Sequence, residues 1–519
     1  MTSPSTNANS SWPKSLRDPS TLYFQKTSVK RSIIKAYWTV IICAIPLWWY
    51  TTSIQRLALP TSRVHSETET LHTLPVDVCW EGIPNGLAEP VRKELVQRSL
   101  QHKERWNGLT LEPFRYGNCG DNTLIIRNHN GPESIHNQVL KISVEKHVRK
   151  DGTYSRHVVD LLEDLLAPVV DASHFNNLAV QYSSRYRLSF SLLNEDSAAG
   201  DMISGWNIEH ALRVHITPLL EDLSSLHNFT IESQVQFHAP LAFRPAASDG
   251  YWGITREDLN VFVNSAEWIL SSSSSNDHVL HFVLFVPSLN ARPLYILDNN
   301  GQSTESNSFL LPQWGGIIIH NPSSPSHQPL PPADLRLTFA TFADQLSALL
   351  GIPQLPPSIK QLPESGHHVL SKWQMDTLLR RRTIENTIQT RETLRSIVNL
   401  VDQIENMPVG QDVKDDVENA LSAYTEMWTG SKSLIDIFTL SADAFNLSSR
   451  AFFNPGMLAL LYFPTEHKYA VYAPLFASAI IPLFVSALRE IVAWKKERKD
   501  AKNGSSVDHT QGTDTPNTS

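Results

Sequence analysis

The chain has 519 residues, 41% hydrophobic and 18% charged, with 44 Lys and Arg against 52 Asp and Glu for a net charge of −8; this is enough length for two to four domains and too much apolar content for a disordered chain. Three cysteines exclude a disulfide scaffold and a Cys-rich zinc array, and 32 prolines against 21 glycines argue against a Gly-rich repeat protein. A mildly acidic total gives no reason to expect a nucleic-acid partner.

The averages hide a segregated chain. Residues 1–35 form a tail holding Lys14, Arg17, Lys26, Lys30, Arg31 and Lys35 against Asp18 alone. From Ala36 to Ile54 no side chain is charged, and with Ile33 and Ile34 the run reaches the ~20 residues that cross a ~30 Å hydrocarbon core. A first transmembrane helix is therefore expected over 36–55. Trp48, Trp49 and Tyr50 gather at its end, where amphipathic rings favour the interface, and Pro46 suggests packing against a neighbour that satisfies the freed carbonyl. The run is too long for a signal-peptide core and lacks a small-residue cleavage site, so it reads as an uncleaved anchor.

Residues 56–351 alternate strands and helices, the pattern of an α/β layer domain with a mixed sheet and packed helices. Tyr186, Leu188, Phe190 and Leu192 alternate with Arg187, Ser189 and Ser191, which predicts a half-buried strand. Ile208, Leu212, Ile216, Leu219, Leu223 and Leu226 form a helical stripe that Pro218 should kink or split. A strand is expected at Ser233–His238. The serine run Ser271–Ser275 reads as a loop, and Val279–Val286 as a strand covered on both faces. Two more strands are expected at Pro293–Leu297 and Trp314–His320, where Gly315 and Gly316 suggest a bulge or a close backbone approach. A helix over Ala333–Leu350 ends at Gly351, a C′ glycine.

A Pro-rich linker, 352–368, separates this layer from a helical region, 369–467. One long stripe runs from Leu370 through Trp373, Leu378, Ile384, Leu394 and Val401 to Ile404, and Pro408-Val-Gly410 breaks it. Shorter helices near Asp412–Trp428 and Ser431–Arg450 complete a helical hairpin or small bundle, whose stripes read as core rather than partner surface. Tyr469–Leu488 is again uncharged and carries Pro474 and Pro482, giving a second transmembrane helix over 468–490, followed by a basic tail at 491–519. The alternative, two buried helices of a soluble protein, is disfavoured by the charge pattern. Residues 1–35 and 489–519 together hold 12 basic and 6 acidic residues, a net +6, and the remainder a net −14. The positive-inside rule then puts both termini in the cytosol and the body in the secretory lumen.

A lumenal body makes Asn228-Phe-Thr and Asn446-Leu-Ser glycosylation acceptors, while Asn9, Asn503 and Asn517 would stay bare in the cytosol. Cys79 and Cys119 share the oxidising compartment, and a disulfide between them is expected if the fold brings them close. Neither cysteine has local sequence that favours a nucleophile over a structural role. There is no Gly-x-Ser-x-Gly elbow, His-Glu-x-x-His helix, phosphate-binding Gly-rich loop or Cys-x-x-Cys pair. His281 reads as a hydrogen-bonded core residue, His367 and His368 as a solvated turn, and Glu163-Asp164 and Asp415-Asp416 as solvated helix faces. No catalytic, cofactor or metal residue is assigned.

Several blocks, in order, resemble the PIG-S family, in a fungal form. They are Pro46–Pro60 (PLWWYTTSIQRLALP), Ser189–Asn194, Trp206-Asn-Ile-Glu, Asn228-Phe-Thr, Phe282–Asp298, Gln313–Ile317, Val413–Val417, Arg450–Pro455 and Leu461–Pro464. The resemblance implies a non-catalytic accessory subunit of the endoplasmic reticulum GPI transamidase, which exchanges a proprotein's C-terminal signal for a glycosylphosphatidylinositol anchor. It implies as partners the caspase-like catalytic subunit PIG-K, PIG-T, PIG-U and the GPI attachment subunit, besides membrane lipid, and no cofactor. A membrane-anchored lumenal hydrolase and a lumenal cargo receptor or tether are the alternatives. Trp48, Trp49, Trp314, Gly315 and Gly316 are expected to be structurally sensitive, the first pair equally readable as an interfacial belt.

Overall fold

The computed structural model describes residues 27–52, 56–82, 85–112, 115–117, 119–120, 123–143, 153–168, 179–248, 250–264, 266–270, 277–322, 327–362, 368–404, 407–457 and 465–504. The serine run 271–275, His367 and the Leu461–Pro464 block lie outside them, as do most of both tails. Contacts group the chain into two compact units, one drawn from Met1–Ala58, Leu400–Lys414 and Phe453–Ser519, the other from Leu59–Asn399 and Asp415–Phe452.

Helix α1 (Thr27–Thr52) opens the smaller unit. The larger unit begins with α2 (Thr61–Glu69), β1 (Leu74–Val76), β2 (Val78–Glu81), α3 (Asn85–Gln101), β3 (Leu109–Leu111), β4 (Arg115–Tyr116), β5 (Leu124–His129), β6 (Ser134–His136), β7 (Val139–Ser143) and α4 (Thr153–Leu166). With Lys360–Gln361 from the Pro-rich stretch as an edge strand beside β6, five of these strands form a six-stranded mixed sheet; β1 and β3 pair separately. Val91 and Leu95 of α3 and Val158 and Leu162 of α4 cover its inner residues Trp80, Leu124, Ile126 and Leu140. Glu163 is not on a solvated face: it is 2% exposed, with its carboxylate held by His102 and the Trp106 indole and flanked by Arg98 and Arg105. Burial pushes this carboxyl up, but those donors outweigh it and leave it below the usual range.

The second sheet is built on β8 (Arg185–Asn194), flanked by β9 (Asn228–Gln236) and β12 (His278–Val286). Beyond β12 lie β15 (Gly315–Ile319) and β14 (Ser308–Leu311); only β14 is antiparallel. β12 is buried on both faces, as its run, apolar from Val279 to Val286 except for His281, requires: Leu280, Phe282 and Leu284 enter one core, Val283 and Phe285 the other. β8 departs from the half-buried expectation, since Arg187, Ser189 and Ser191 are all buried. Each finds a partner on that face, although Arg187 Nε stays unpaired: Arg187 Nη1 pairs with Glu232, Ser189 Oγ donates to Leu270 O, and Gln234 donates to Ser191 Oγ.

The first core is closed by α5 (residues 208–225) and α6 (Pro332–Leu349). Pro218 splits α5 as expected, and the turn before it, Leu212–Ile216, widens to π geometry because proline supplies no N–H to the ladder. Gly351, at φ +73°, ends α6. The Pro293–Leu297 strand is shorter, β13 (Leu294–Ile296), and joins a separate small sheet with β10 (Ala246–Ser248) and β11 (Tyr251–Ile254).

Helix α7 (Lys372–Gln403) sends Trp373 into the first sheet's core and Leu378 and Leu379 into the second's. Helices α8 (Gln411–Glu426) and α9 (Leu434–Phe452) follow, α9 capped by Ser433, whose hydroxyl accepts from the Asp436 N–H. Asp416, expected on a solvated face, is buried and forked by Arg450. The chain's last described element is α10 (Thr465–Gly504), a single 40-residue helix carrying Pro474 and Pro482. Within α1 and α10, Ser28–Thr51 and Tyr469–Asp500 are long and apolar enough to cross a membrane. Arg31 meets Glu490 at 2.5 Å and Glu497 at 3.2 Å, and Trp48 packs edge-on against Tyr472 and Phe476, so the two helices run antiparallel and their outer ends lie together.

Two core histidines give the fold a pH dependence. Burial pushes His227 down to about 4, against a hydrogen bond its Nδ1 donates to Ser183 O, and burial alone pushes His281 down to about 4. Both folded values lie below the ordinary 6.5. The unfolded chain therefore takes up protons that the folded chain refuses, and stability present above pH 6.5 is lost as pH falls toward 4. The expected loss at pH 5 is about 2 kcal/mol per histidine. Urea unfolding of the parent and of His227→Gln at pH 7.5 and pH 5 checks it: the variant should lose less stability between the two, and equal losses contradict the assignment.

Candidate functional site

Trp314, Gly315 and Gly316 converge on one point of the second sheet. Trp314 stacks on the buried His281 ring at 4.8 Å, and its carbonyl accepts the His281 N–H at 3.0 Å. A Cβ on Gly315, at φ +155°, would overlap the His281 backbone carbonyl, and one on Gly316 would overlap the Gln345 side-chain amide from α6. Strand β15 reaches β12 and α6 this closely because these two positions lack side chains. The ring of His281 is buried among apolar groups with Nδ1 unpartnered, so it stacks there rather than making the hydrogen bond expected of that nitrogen.

The remaining singled-out residues are dispersed. Cys79 on β2 and Cys119 are disulfide-bonded, with Cα atoms 5.7 Å apart. Asn228 opens the edge strand β9, Asn446 lies on α9, and both are exposed. Trp48 packs against α10, whereas Trp49 is 63% exposed. His368 is exposed and tied to Asp222. Among the described residues no three His, Cys, Asp or Glu side chains are grouped to hold a metal.

A cleft of the larger unit carries no residue singled out as a site. It measures about 670 Å³ and lies between the β1–β2 segment, the β6–β7 turn at Asn137, the end of α5, the start of α7 and the start of α9. Asp222 on α5 accepts the Val369 and Leu370 N–H groups at 2.7 and 2.8 Å, fixing where α7 begins. One and two turns on, Asp376 and Arg380 face the cleft 3.8 Å apart, and Arg380 Nε donates to Pro75 O at 3.4 Å. Burial holds the Asp376 carboxyl above its usual range, against Arg380 and Lys372; it lowers Arg380, against Asp376 and Asp77. Arg380 Nη1 and Asp77 Oδ1 are buried without hydrogen-bond partners. The cleft thus sets carboxylates and a guanidinium among Leu74, Leu379 and Ile435. Its only sequence signal was the i, i+4 spacing of Asp376 and Arg380 inside an apolar stripe.

Mixed sheets packed by helices, with an apolar membrane-length helix toward each end of the chain, define an α/β protein anchored in a membrane. The family model for phosphatidylinositol-glycan biosynthesis class S protein, PIG-S, matches residues 121–497. The chain is 30% identical to the GPI-anchor transamidase component PIGS of Mus musculus and 29% to that of Bos taurus, in each case over 91% of this chain and 97% of the relative. It is 29% identical to the GPI transamidase component PIG-S homolog of Schizosaccharomyces pombe, over 91% of this chain and 86% of the relative. The chain belongs to the PIG-S family.

The glycine contacts make a stability prediction. Gly315→Ala should cost about 2 kcal/mol or more, because the added methyl meets the His281 backbone carbonyl, and Gly316→Ala should cost less, because the end of the Gln345 side chain can move aside. Gly205→Ala, where a Cβ meets nothing within 4 Å, should stay within about 0.5 kcal/mol. Denaturant midpoints of the three variants decide it; comparable midpoints for all three would remove the close-approach argument.

Proposed function

We propose that this chain is a non-catalytic accessory subunit of the GPI transamidase of the endoplasmic reticulum, the complex that replaces a proprotein's C-terminal signal with a GPI lipid anchor. The carrying observation is near full-length similarity to proteins named as components of that transamidase. The partners proposed are the caspase-like catalytic subunit PIG-K, with PIG-T, PIG-U and the GPI attachment subunit.

In this reading α1 and α10 cross the membrane, both termini are cytosolic and the α/β body and helical region are lumenal. Three features support it. The helices are antiparallel, so Arg31 and Glu490 share one end. Basic residues crowd that end, as expected of a cytosolic face. Cys79 and Cys119 are bonded, which suits an oxidising compartment. Asn228 and Asn446, both exposed, are the proposed glycosylation sites. The buried polar network of the larger unit suits a scaffold that holds a catalytic neighbour in place.

Depletion of the protein should leave proproteins with GPI signals unanchored and accumulating with the signal attached, and detergent-solubilised full chain should co-purify a caspase-like subunit. Normal anchoring after depletion refutes the reading. A hydrolase would instead keep an activity in the purified chain that one polar substitution abolishes, and a cargo receptor would leave anchor transfer intact.

A further inference from the structure

The end of the helix pair carries a charge asymmetry that the packing creates. Three acidic residues, Glu490, Glu497 and Asp500, lie among the basic residues of α10 from Arg489 onward, so the sequence alone reads as mixed charge. The structure draws two of the three away from the lysines, while Asp500 stays one turn from Lys496. Glu490 is held by Arg31 and by Lys30 at 3.7 Å, and Glu497 by Arg31. At the 100° per residue of an α-helix, Lys495 and Lys499 fall on the side away from Glu490 and Glu497, and Arg498 lies between the two sides. All three are exposed, and among the described residues neither lysine has a carboxylate within ion-pair distance. Lys496 and, on α1, Lys35 are likewise exposed and without a carboxylate partner. Trp494, 48% exposed, marks the depth at which the face begins, with the Arg498 guanidinium 5.0 Å from its ring centroid. An indole in this position sits at headgroup level, and the lysines one turn further on reach the phosphate layer.

From this geometry we propose that the Lys495–Lys499 stretch of α10 is a binding surface for anionic phospholipid headgroups, with Lys495, Lys496 and Lys499 as the contact charges. The cross-helix pairs of Arg31 and Lys30 serve this surface by drawing away two of the three acidic groups of this end, Glu490 and Glu497. A zwitterionic headgroup offers a phosphate but brings its own cation, so the surface discriminates by net charge; a juxtamembrane cluster of this size is in the range that retains anionic lipid. The proposal rests on the membrane-spanning part of the reading above and is independent of the transamidase part.

The test uses the full chain in nanodiscs of phosphatidylcholine containing phosphatidylserine and phosphatidylinositol. The protein is then moved into detergent, and the lipids that remain bound are measured by mass spectrometry. The parent should retain the anionic lipids in excess over phosphatidylcholine, and raised salt should diminish the excess. Lys495→Gln/Lys496→Gln/Lys499→Gln should lower that excess by at least about fivefold. Glu490→Gln/Glu497→Gln, which keeps the lysines and frees Arg31, should raise it. An unchanged ratio in the triple-lysine variant, or an excess that salt does not touch, overturns the proposal. Alkaline carbonate extraction of cell membranes separates the two ways of failing: a chain that is extracted refutes the spanning reading as well, and one that stays in the membrane with no anionic preference refutes the headgroup surface alone.

Discussion

The larger unit depends on one buried helix. α7 is drawn into two cores at once, Trp373 lying in that of the six-stranded sheet and Leu378 and Leu379 in that of the five-stranded sheet. Its polar side chains are spent on distant backbone: the Trp373 indole donates to Gln138 O at 2.9 Å, Thr377 to Leu165 O at 2.8 Å and Arg382 to Leu350 O at 2.8 Å. Further along, Arg395 donates to Thr68 O at 2.8 Å. Leu165, Leu350 and Thr68 stand at helix ends, where carbonyls lack an intrahelical partner, and Gln138 O takes the indole besides the Ile125 N–H; such groups are costly when buried unpaired. A helix used this way fixes the relative placement of segments more than 200 residues apart.

That role explains why sequence reasoning saw α7 clearly yet underestimated it. Its stripe and length were legible from Leu370 to Ile404, because helical periodicity is a local property. Its buried arginines were not, since Arg380 and Arg382 are tolerable only where Pro75 and Leu350 carbonyls wait for them, and those partners are set by the fold. Glu163 and Asp416 follow the same logic. A carboxylate on a helix reads as solvated until Arg98, Arg105 or Arg450 is brought over it from another element.

Strands divide in the same way. β12 was readable because a run of eight residues, apolar but for His281, has few alternatives, and the Gly315-Gly316 approach because paired glycines at the head of a strand need a steric reason. The first sheet was legible only as an α/β texture: strands of two to six residues fall below what alternation can resolve, and the edge strand Lys360–Gln361 lies among prolines that read as linker. β8 misled because its alternation was genuine while its polar face found partners. The cleft around Arg380 had almost no local signature, because its walls come from five separate stretches of chain.

The charge balance repeats the lesson at the scale of the chain. A net −8 becomes +6 in the two flanks and −14 elsewhere, a division that composition averages erase. Within the flanks a second division lies beneath the first, and only packing reveals it: Arg31 takes up Glu490 and Glu497 and leaves the opposite side of α10 basic. Segregation in sequence orients a helix in a membrane, because it acts through totals near each end. Segregation around a helix axis decides which headgroups that end meets, because charge acts over about a Debye length and neighbouring opposite signs cancel within it. Ion pairing across the helix interface turns a flank of mixed sequence into a face dominated by one sign.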